Sequence, residues 1–412
     1  MLVLFIPIIQ YNLVLVPEQP LEPGSEAIKL TAESWFSGKY QKSKEENVKN
    51  TIPFRDELVR LSNQVYYSLF NEGRGNSVVV GKEQSLLLQG QIDALYGLDY
   101  VGLDSIRIQT EKLLYIRDQL QKKGIQLAIA IVPSKAKFHS DLIPDWKRVY
   151  HPDTTNYDMY LDEWRRQDIN YFDATPWLLN KEKSDSSRYF PQNGLHYGQY
   201  AQLLIMDSLA GYLQTKTGMN FPRIEIGALN EAAEVMVEED EDQEKYMTIF
   251  SSIKDEPMAY PAFEISTPDG DKPSVLTVGD SYFMGMSNLD LNRKVFGDGQ
   301  FWYYNHQIRT KPNVIDRYTN NVDLVKEVEK HDVVLLFLAE ANLYRFCFGF
   351  VDQLEDAYKN RRKYRINYFI NQINSNKEWL TEVENKAIEK GISLEEMVRL
   401  DAEFLFNQES DF

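Results

Sequence analysis

Residues 125–132 read IQLAIAIV, an apolar run broken only by Gln126. A strand with one wet face alternates apolar and polar side chains; a run without alternation suits a strand covered on both faces. Gly124 stands just before it, where a helix C-cap glycine belongs, and residues 105–122 repeat apolar side chains at helical spacing. Outward from this unit the alternation continues. Residues 158–166 and 200–215 carry helical periodicity, 170–172 form a short strand, and 275–278 and 333–338 give two further apolar strands. Helices alternating with fully buried strands predict an α/β fold, a parallel sheet with helices on both faces. A further helix is expected at 54–70, packed through Leu58, Leu61, Val65 and Leu69.

The 412 residues carry 45 Lys and Arg against 62 Asp and Glu, a net charge of −17. With no basic run to neutralise phosphates, nucleic acid is excluded as a partner class. The single cysteine, Cys347, rules out an internal disulfide and a Cys-rich zinc site. No Walker loop, GxGxxG or HExxH is present, so no cofactor or metal is expected. Residues 1–16, MLVLFIPIIQYNLVLV, are uncharged and mostly apolar, and the proline-containing PEQPLEPG follows. Residues 1–25 are therefore read as a membrane anchor or signal-like segment with its linker, a buried N-terminal strand being the alternative. One domain is expected over 26–350 and a helical extension over 351–412. The acidic stretch within 230–256, with VEEDEDQEK, offers little to bury and reads as a solvated loop.

Residues 274–286, SVLTVGDSYFMGM, run from an apolar strand through Gly279, Asp280 and Ser281 into a segment of helical potential. A serine at such a turn presents its hydroxyl at the carboxyl end of the sheet, where open α/β folds bind ligands. The alternative is an Asp or Ser N-cap on a structural helix. Gly279 is expected to permit a tight turn. A hydroxyl nucleophile needs a base, usually histidine. Of five histidines, His196 lies in the polar, glycine-containing loop FPQNGLHYGQY (190–200) directly before a helix. On its own, a capping or packing histidine is the better reading of it. His306 follows the aromatic cluster FWYYNH, for which packing is the default. Lys135 follows a strand end, where it either meets an anionic group or ties down the neighbouring loop; Arg309 is a further candidate, and neither is placed in the catalytic set.

Several segments occur together in one order: TIPFRDELVRLSNQVYYSLF, SVVVGKEQSLLL, IRDQLQKKGIQLAIAIVPSKAKFHSDLIP, NGLHYGQYAQLLIMDSL and VLTVGDSYFMGM. The set resembles the alginate O-acetyltransferase family of the SGNH-hydrolase-like superfamily, with histidine before serine, the permuted order of that family. The resemblance implies an O-acetyltransferase that carries acetyl on Ser281, with His196 as base, to an extracytoplasmic polysaccharide. It also implies a membrane-bound O-acyltransferase as acetyl donor and a periplasmic location, held at the inner membrane by the N-terminus. A carbohydrate acetylesterase and a non-catalytic polysaccharide-binding scaffold are the alternatives. The chain departs from the family at one place. Where the family has Asp-x-His-Trp, this sequence has Gly194-Leu195-His196-Tyr197, and a glycine orients nothing. Asp185 and Glu340 are candidate substitute acids. Asn342 is a candidate oxyanion donor, and Asp280, beside the serine, is a candidate in either role; a Ser–His dyad and loss of the reaction also stay open.

Overall fold

The computed structural model describes residues 28–51, 53–75, 77–149, 154–185, 187–229, 231–232, 240, 242–253, 256–266 and 270–409. Residues 1–25, read as an anchor, lie outside the described residues. Among the described residues no helix is long and apolar enough to cross a membrane. The chain gathers into two compact units, one of residues up to 80 with 242–254, the other of 81–241 with 255–412.

The larger unit is built on a seven-stranded sheet. Its strands are β1 (Gln126–Val132), β2 (Phe172–Asp173), β3 (Val275–Gly279), β4 (Gln300–Tyr303), β5 (Gln307–Arg309), β6 (Arg317–Tyr318) and β7 (Val333–Ala339), in the order β6-β5-β4-β3-β7-β1-β2. The five strands from β4 to β2 are parallel, and β5 and β6 extend the β4 edge as antiparallel strands. The last strand in sequence, β7, thus lies between β1 and β3, and all seven of its residues are buried. Period-two alternation sends each strand's side chains to two cores. Ala128, Ala130 and Val132 of β1 join one, with Leu335 and Phe337 of β7 and Leu203, Met206 and Leu209 of helix α3 (Gln199–Thr217). Ile129, Ile131, Leu336 and Leu338 join the other, with Ile106, Leu113 and Ile116 of helix α1 (Leu103–Gln121) and Tyr160 and Trp164 of helix α2 (Asn156–Arg166). The mostly parallel sheet with helices on both faces is the fold read from the sequence.

The antiparallel edge differs from the expectation. FWYYNHQIR forms a hairpin, and its turn places Tyr304 and Asn305 at φ near +50°, where Asn is tolerated and Tyr is rare. The first helix of the expected C-terminal extension, α4 (Phe350–Lys359), packs Phe350, Val351, Leu354 and Ala357 into the core beside α1. Helices α5 (Arg361–Ser375), α6 (Lys377–Lys390) and α7 (Leu394–Glu409) form a separate cluster around Ile373, Val383, Met397 and Val398.

In the smaller unit a helix spans Arg55–Phe70, one residue from its expected start. Its expected packing face, Leu58, Leu61, Val65 and Leu69, is exposed; its buried residues are Asn63 and Tyr67. Asn63 Nδ2 donates to the Met247 carbonyl at 3.1 Å, so the polar side chain, not the leucines, makes the long-range contact. The stretch 230–256 is likewise more than a solvated loop: Met247 and Ile253 are buried in this unit, and Asp240, in the larger one, is 2% exposed.

Candidate active site

Ser281 is two residues past the end of β3, the middle strand of the seven. Asp280 caps the short turn Ser281–Phe283 by accepting from the Tyr282 N–H at 3.0 Å. Its other oxygen accepts from the Ala339 N–H at 2.7 Å and from Asn342 Nδ2 at 2.8 Å, tying the serine turn to the end of β7. Burial pushes the Asp280 carboxyl above the usual carboxylate range, while the three donors and His196 pull it back. Gly279 does not serve a tight turn: its φ is not positive, and a Cβ there would lie 2.8 Å from the Phe337 carbonyl oxygen of β7. The glycine permits close approach of the two strands next to the serine.

The loop 190–198 brings His196 to this turn, with Nε2 2.9 Å from Ser281 Oγ. The imidazole ring stands edge-on to Tyr282 at 4.9 Å between centroids. Tyr282 donates its hydroxyl to the Leu195 carbonyl at 3.2 Å, and the Tyr197 hydroxyl donates to the Tyr282 carbonyl at 2.8 Å, so the two segments are laced together on either side of the pair. Lys135, 1% exposed, donates its ammonium to the carbonyls of Gln192 at 2.8 Å and Gly194 at 2.9 Å. Of the two roles read for this lysine, tying down the loop is the one its contacts describe. A buried ammonium is tolerated where such acceptors replace water.

Glu340 and Asp185, the two candidate substitute acids, are placed elsewhere. Glu340 follows β7 and accepts from both the backbone N–H and the hydroxyl of Ser134, holding the turn after β1. Its burial pushes it up to about 7. Asp185 accepts from the hydroxyls of Tyr189 and Tyr200. Neither makes a hydrogen bond with His196. Asn342 gives its amide to Asp280, and its oxygen accepts from Arg345 at 3.1 Å.

One neighbour of the pair was not foreseen. The Tyr304 hydroxyl donates to Ser281 Oγ at 3.3 Å, delivered by the strained hairpin turn and fixed by the Tyr304 N–H on the Gly279 carbonyl at 2.8 Å. The run of aromatics in FWYYNH concealed it, since only the turn separates Tyr304 from its packed neighbours. Arg309 lies over the Tyr303 ring at 5.6 Å, and His306 is exposed against Tyr318. Among the described residues no three His, Cys, Asp or Glu side chains group to hold a metal ion.

A serine hydroxyl hydrogen-bonded to a histidine at the carboxyl ends of a helix-covered, mostly parallel sheet is the arrangement of α/β proteins that present a hydroxyl nucleophile beside a base. Residues 99–223 match the family model described as SGNH hydrolase-like domain, acetyltransferase AlgX. That segment contains His196 and ends before Ser281. Over 125 residues the chain is 30% identical to the "Probable alginate O-acetylase AlgJ" of Pseudomonas syringae pv. tomato, a match covering 30% of this chain and 30% of that protein's length. Over this segment the chain is homologous to the alginate O-acetylases, in keeping with the resemblance. Among solved structures it is similar to the O-acetyltransferase domain of Pseudomonas putida AlgJ, at 16% identity and a TM-score of 0.42, covering 68% of this chain and 99% of that one. It is also similar to AlgX of Pseudomonas aeruginosa, at 13% identity and a TM-score of 0.42, covering 67% of each.

Proposed function

We propose that this protein is an O-acetyltransferase that passes an acetyl group through an ester on Ser281 to hydroxyls of an extracytoplasmic polysaccharide. The observation that carries the reading is the 2.9 Å contact between His196 Nε2 and Ser281 Oγ; the homology of residues 99–223 to alginate O-acetylases supports the choice of acetyl transfer. In the first half-reaction Ser281 Oγ attacks the donor's acetyl carbonyl while His196 takes its proton. The tetrahedral intermediate collapses, the donor oxygen leaves with that proton, and acetyl-Ser281 remains. In the second, His196 takes the proton of a sugar hydroxyl as that oxygen attacks the ester, and returns it to Ser281 Oγ. The Tyr304 hydroxyl, hydrogen-bonded to the same oxygen, steadies the nucleophile between the two proton transfers.

The donor in this reading is a membrane-bound O-acyltransferase, and residues 1–25 hold the protein at the inner membrane with its catalytic part on the periplasmic side. The test supplies purified protein with an activated acetyl ester and an unacetylated oligosaccharide, and follows both products by mass spectrometry. Acetylated oligosaccharide that disappears with Ser281→Ala is the expected result. Release of free acetate with no acetylated sugar would instead mark an esterase.

A further inference from the structure

Two stretches of strained backbone face each other beside the Ser281 hydroxyl. Tyr304 and Asn305 in the β4–β5 turn, and Cys347 and Phe348 in the segment between β7 and α4, are non-glycine residues with φ near +50°. Such conformations persist only where the surroundings hold them, and they gather at functional sites. Asn305 Nδ2 donates to the Phe348 carbonyl at 3.3 Å, and the Tyr304 ring meets the Phe348 ring edge-on at 4.7 Å, so the two stretches support each other. The second stretch divides its side chains: Phe346 and Cys347 enter the core, while Tyr344 and Arg345 are exposed.

What this arrangement delivers is Arg345. Its Cζ lies 5.0 Å from the centre of the Tyr304 ring, 5.3 Å from that of Tyr344 and 5.2 Å from that of Phe348. Tyr304 in turn reaches Ser281 Oγ through its hydroxyl, so the guanidinium stands one ring away from the serine. A guanidinium held by aromatic faces keeps its planar edge of N–H donors for other partners. Among the described residues its hydrogen bonding stops at Asn342 Oδ1, at 3.1 Å, and no carboxylate pairs with it, in a chain whose net charge is −17. Tyr344, 45% exposed, sets ring surface beside that edge. An aromatic face suits the C–H face of a sugar ring, and a fork of N–H donors suits its oxygens.

We propose that Tyr344 and Arg345 form the subsite for the acceptor sugar, a pyranose ring stacked on Tyr344 whose oxygens, hydroxyl or carboxylate, accept from Arg345. The inference rests on the serine-ester reading and deepens it. Sugar held on this surface competes with water for acetyl-Ser281, so the choice between transfer and hydrolysis lies in these two side chains. Loss of either shifts the product from acetylated sugar towards free acetate.

The test compares the full chain with Tyr344→Ala and Arg345→Gln, using one neutral and one uronate oligosaccharide as acceptors. Mass spectrometry follows two steps, acetylation of Ser281 by an activated acetyl ester and passage of the acetyl group to sugar as acceptor concentration varies. Each substitution should raise the acceptor KM about tenfold or more, and the share of free acetate with it, while Ser281 acetylation slows by no more than about twofold. With Arg345→Gln, an increase confined to the uronate assigns the N–H edge to a carboxylate, and an equal increase for both acceptors assigns it to hydroxyls. A purely structural role, passed through Asn342 and Asp280 to the serine turn, would slow Ser281 acetylation and leave the acceptor KM alone. That result overturns the proposal, as does an unchanged KM in both variants; Tyr344→Ala decides the matter if Arg345→Gln does not fold. A wild type that never acetylates Ser281 refutes the serine-ester reading, and calorimetry with the same oligosaccharides then judges the subsite. Weaker binding in the variants supports it, and equal binding or none in wild type overturns it.

Discussion

The two halves of the proposed catalytic pair are held in different ways. Ser281 follows a central strand, and its turn is fixed by Asp280, the residue next to it, through bonds to Tyr282, Ala339 and Asn342. His196 sits on a loop with no place in the sheet, and that loop is held by groups brought from afar: the Lys135 ammonium on two of its carbonyls, the Tyr282 hydroxyl on a third, and Asp240 against its two glycines. Ser281 is placed by local sequence and strand register; His196 is placed by tertiary contacts. Placement by contacts costs more positions in the chain and leaves more ways to disturb the base without touching the nucleophile.

The largest effects should come from cutting each support at its root. Asp280→Ala strands the Ala339 and Tyr282 N–H groups beside a buried hole. It should cost about 3 kcal/mol of stability in a denaturant titration, together with acetyl transfer. Lys135→Met strands the Gln192 and Gly194 carbonyls and should cost about 2 kcal/mol. If the two segments are held separately, Lys135→Met leaves Ser281 open to acetylation by a reactive ester at high concentration, whereas Asp280→Ala does not. Equal loss of Ser281 reactivity in both variants would erase the distinction.

A smaller effect concerns pH and the turn after β1, which carries Lys135. Burial raises Glu340 from an ordinary 4.5 to about 7. Between those values the folded protein holds a proton that the unfolded chain has lost, so this group's contribution is complete below about pH 4.5 and declines as pH rises towards 7. Glu340→Gln lacks that decline. The thermal midpoint of the variant relative to wild type should rise from pH 4.5 to 7 and then level off; a constant difference across the window would show that Glu340 does not titrate there.

The smallest effect is expected at Tyr304. Tyr304→Phe removes one neutral hydrogen bond to Ser281 Oγ and should lower kcat by about two- to tenfold with KM unchanged. A loss as large as that of Ser281→Ala would move Tyr304 from steadying the nucleophile to handling its proton.

The same division governs what could be read from the chain. The strands at 126–132, 275–279 and 333–339 and the helices around them were legible because their burial follows from local periodicity. The serine turn was legible for the same reason, since strand, Gly279 and Asp280 are contiguous. The β4–β5 hairpin was not, because FWYYNHQIR shows no alternation and its turn puts a tyrosine at positive φ. Leu58, Leu61, Val65 and Leu69 have the spacing of a packing face but are exposed, so periodicity alone misassigned that helix's contacts. Residue 240 was hidden in an acidic run whose composition signals solvent, yet it is buried and lies close to Gly194 and Gly198. Asp185 and Glu340 were reasonable substitutes by sequence, yet their carboxylates bond to tyrosines and to Ser134.

The central claim is that the two segments meet to make Ser281 a nucleophile, and peptide mass spectrometry after incubation with an activated acetyl ester tests it most directly. An acetyl group mapped to Ser281 in wild type, absent in Ser281→Ala and reduced by about a thousandfold in rate in His196→Ala, is the expected result. A folded wild-type protein whose Ser281 stays unmodified, or acetylates equally fast without His196, would contradict it.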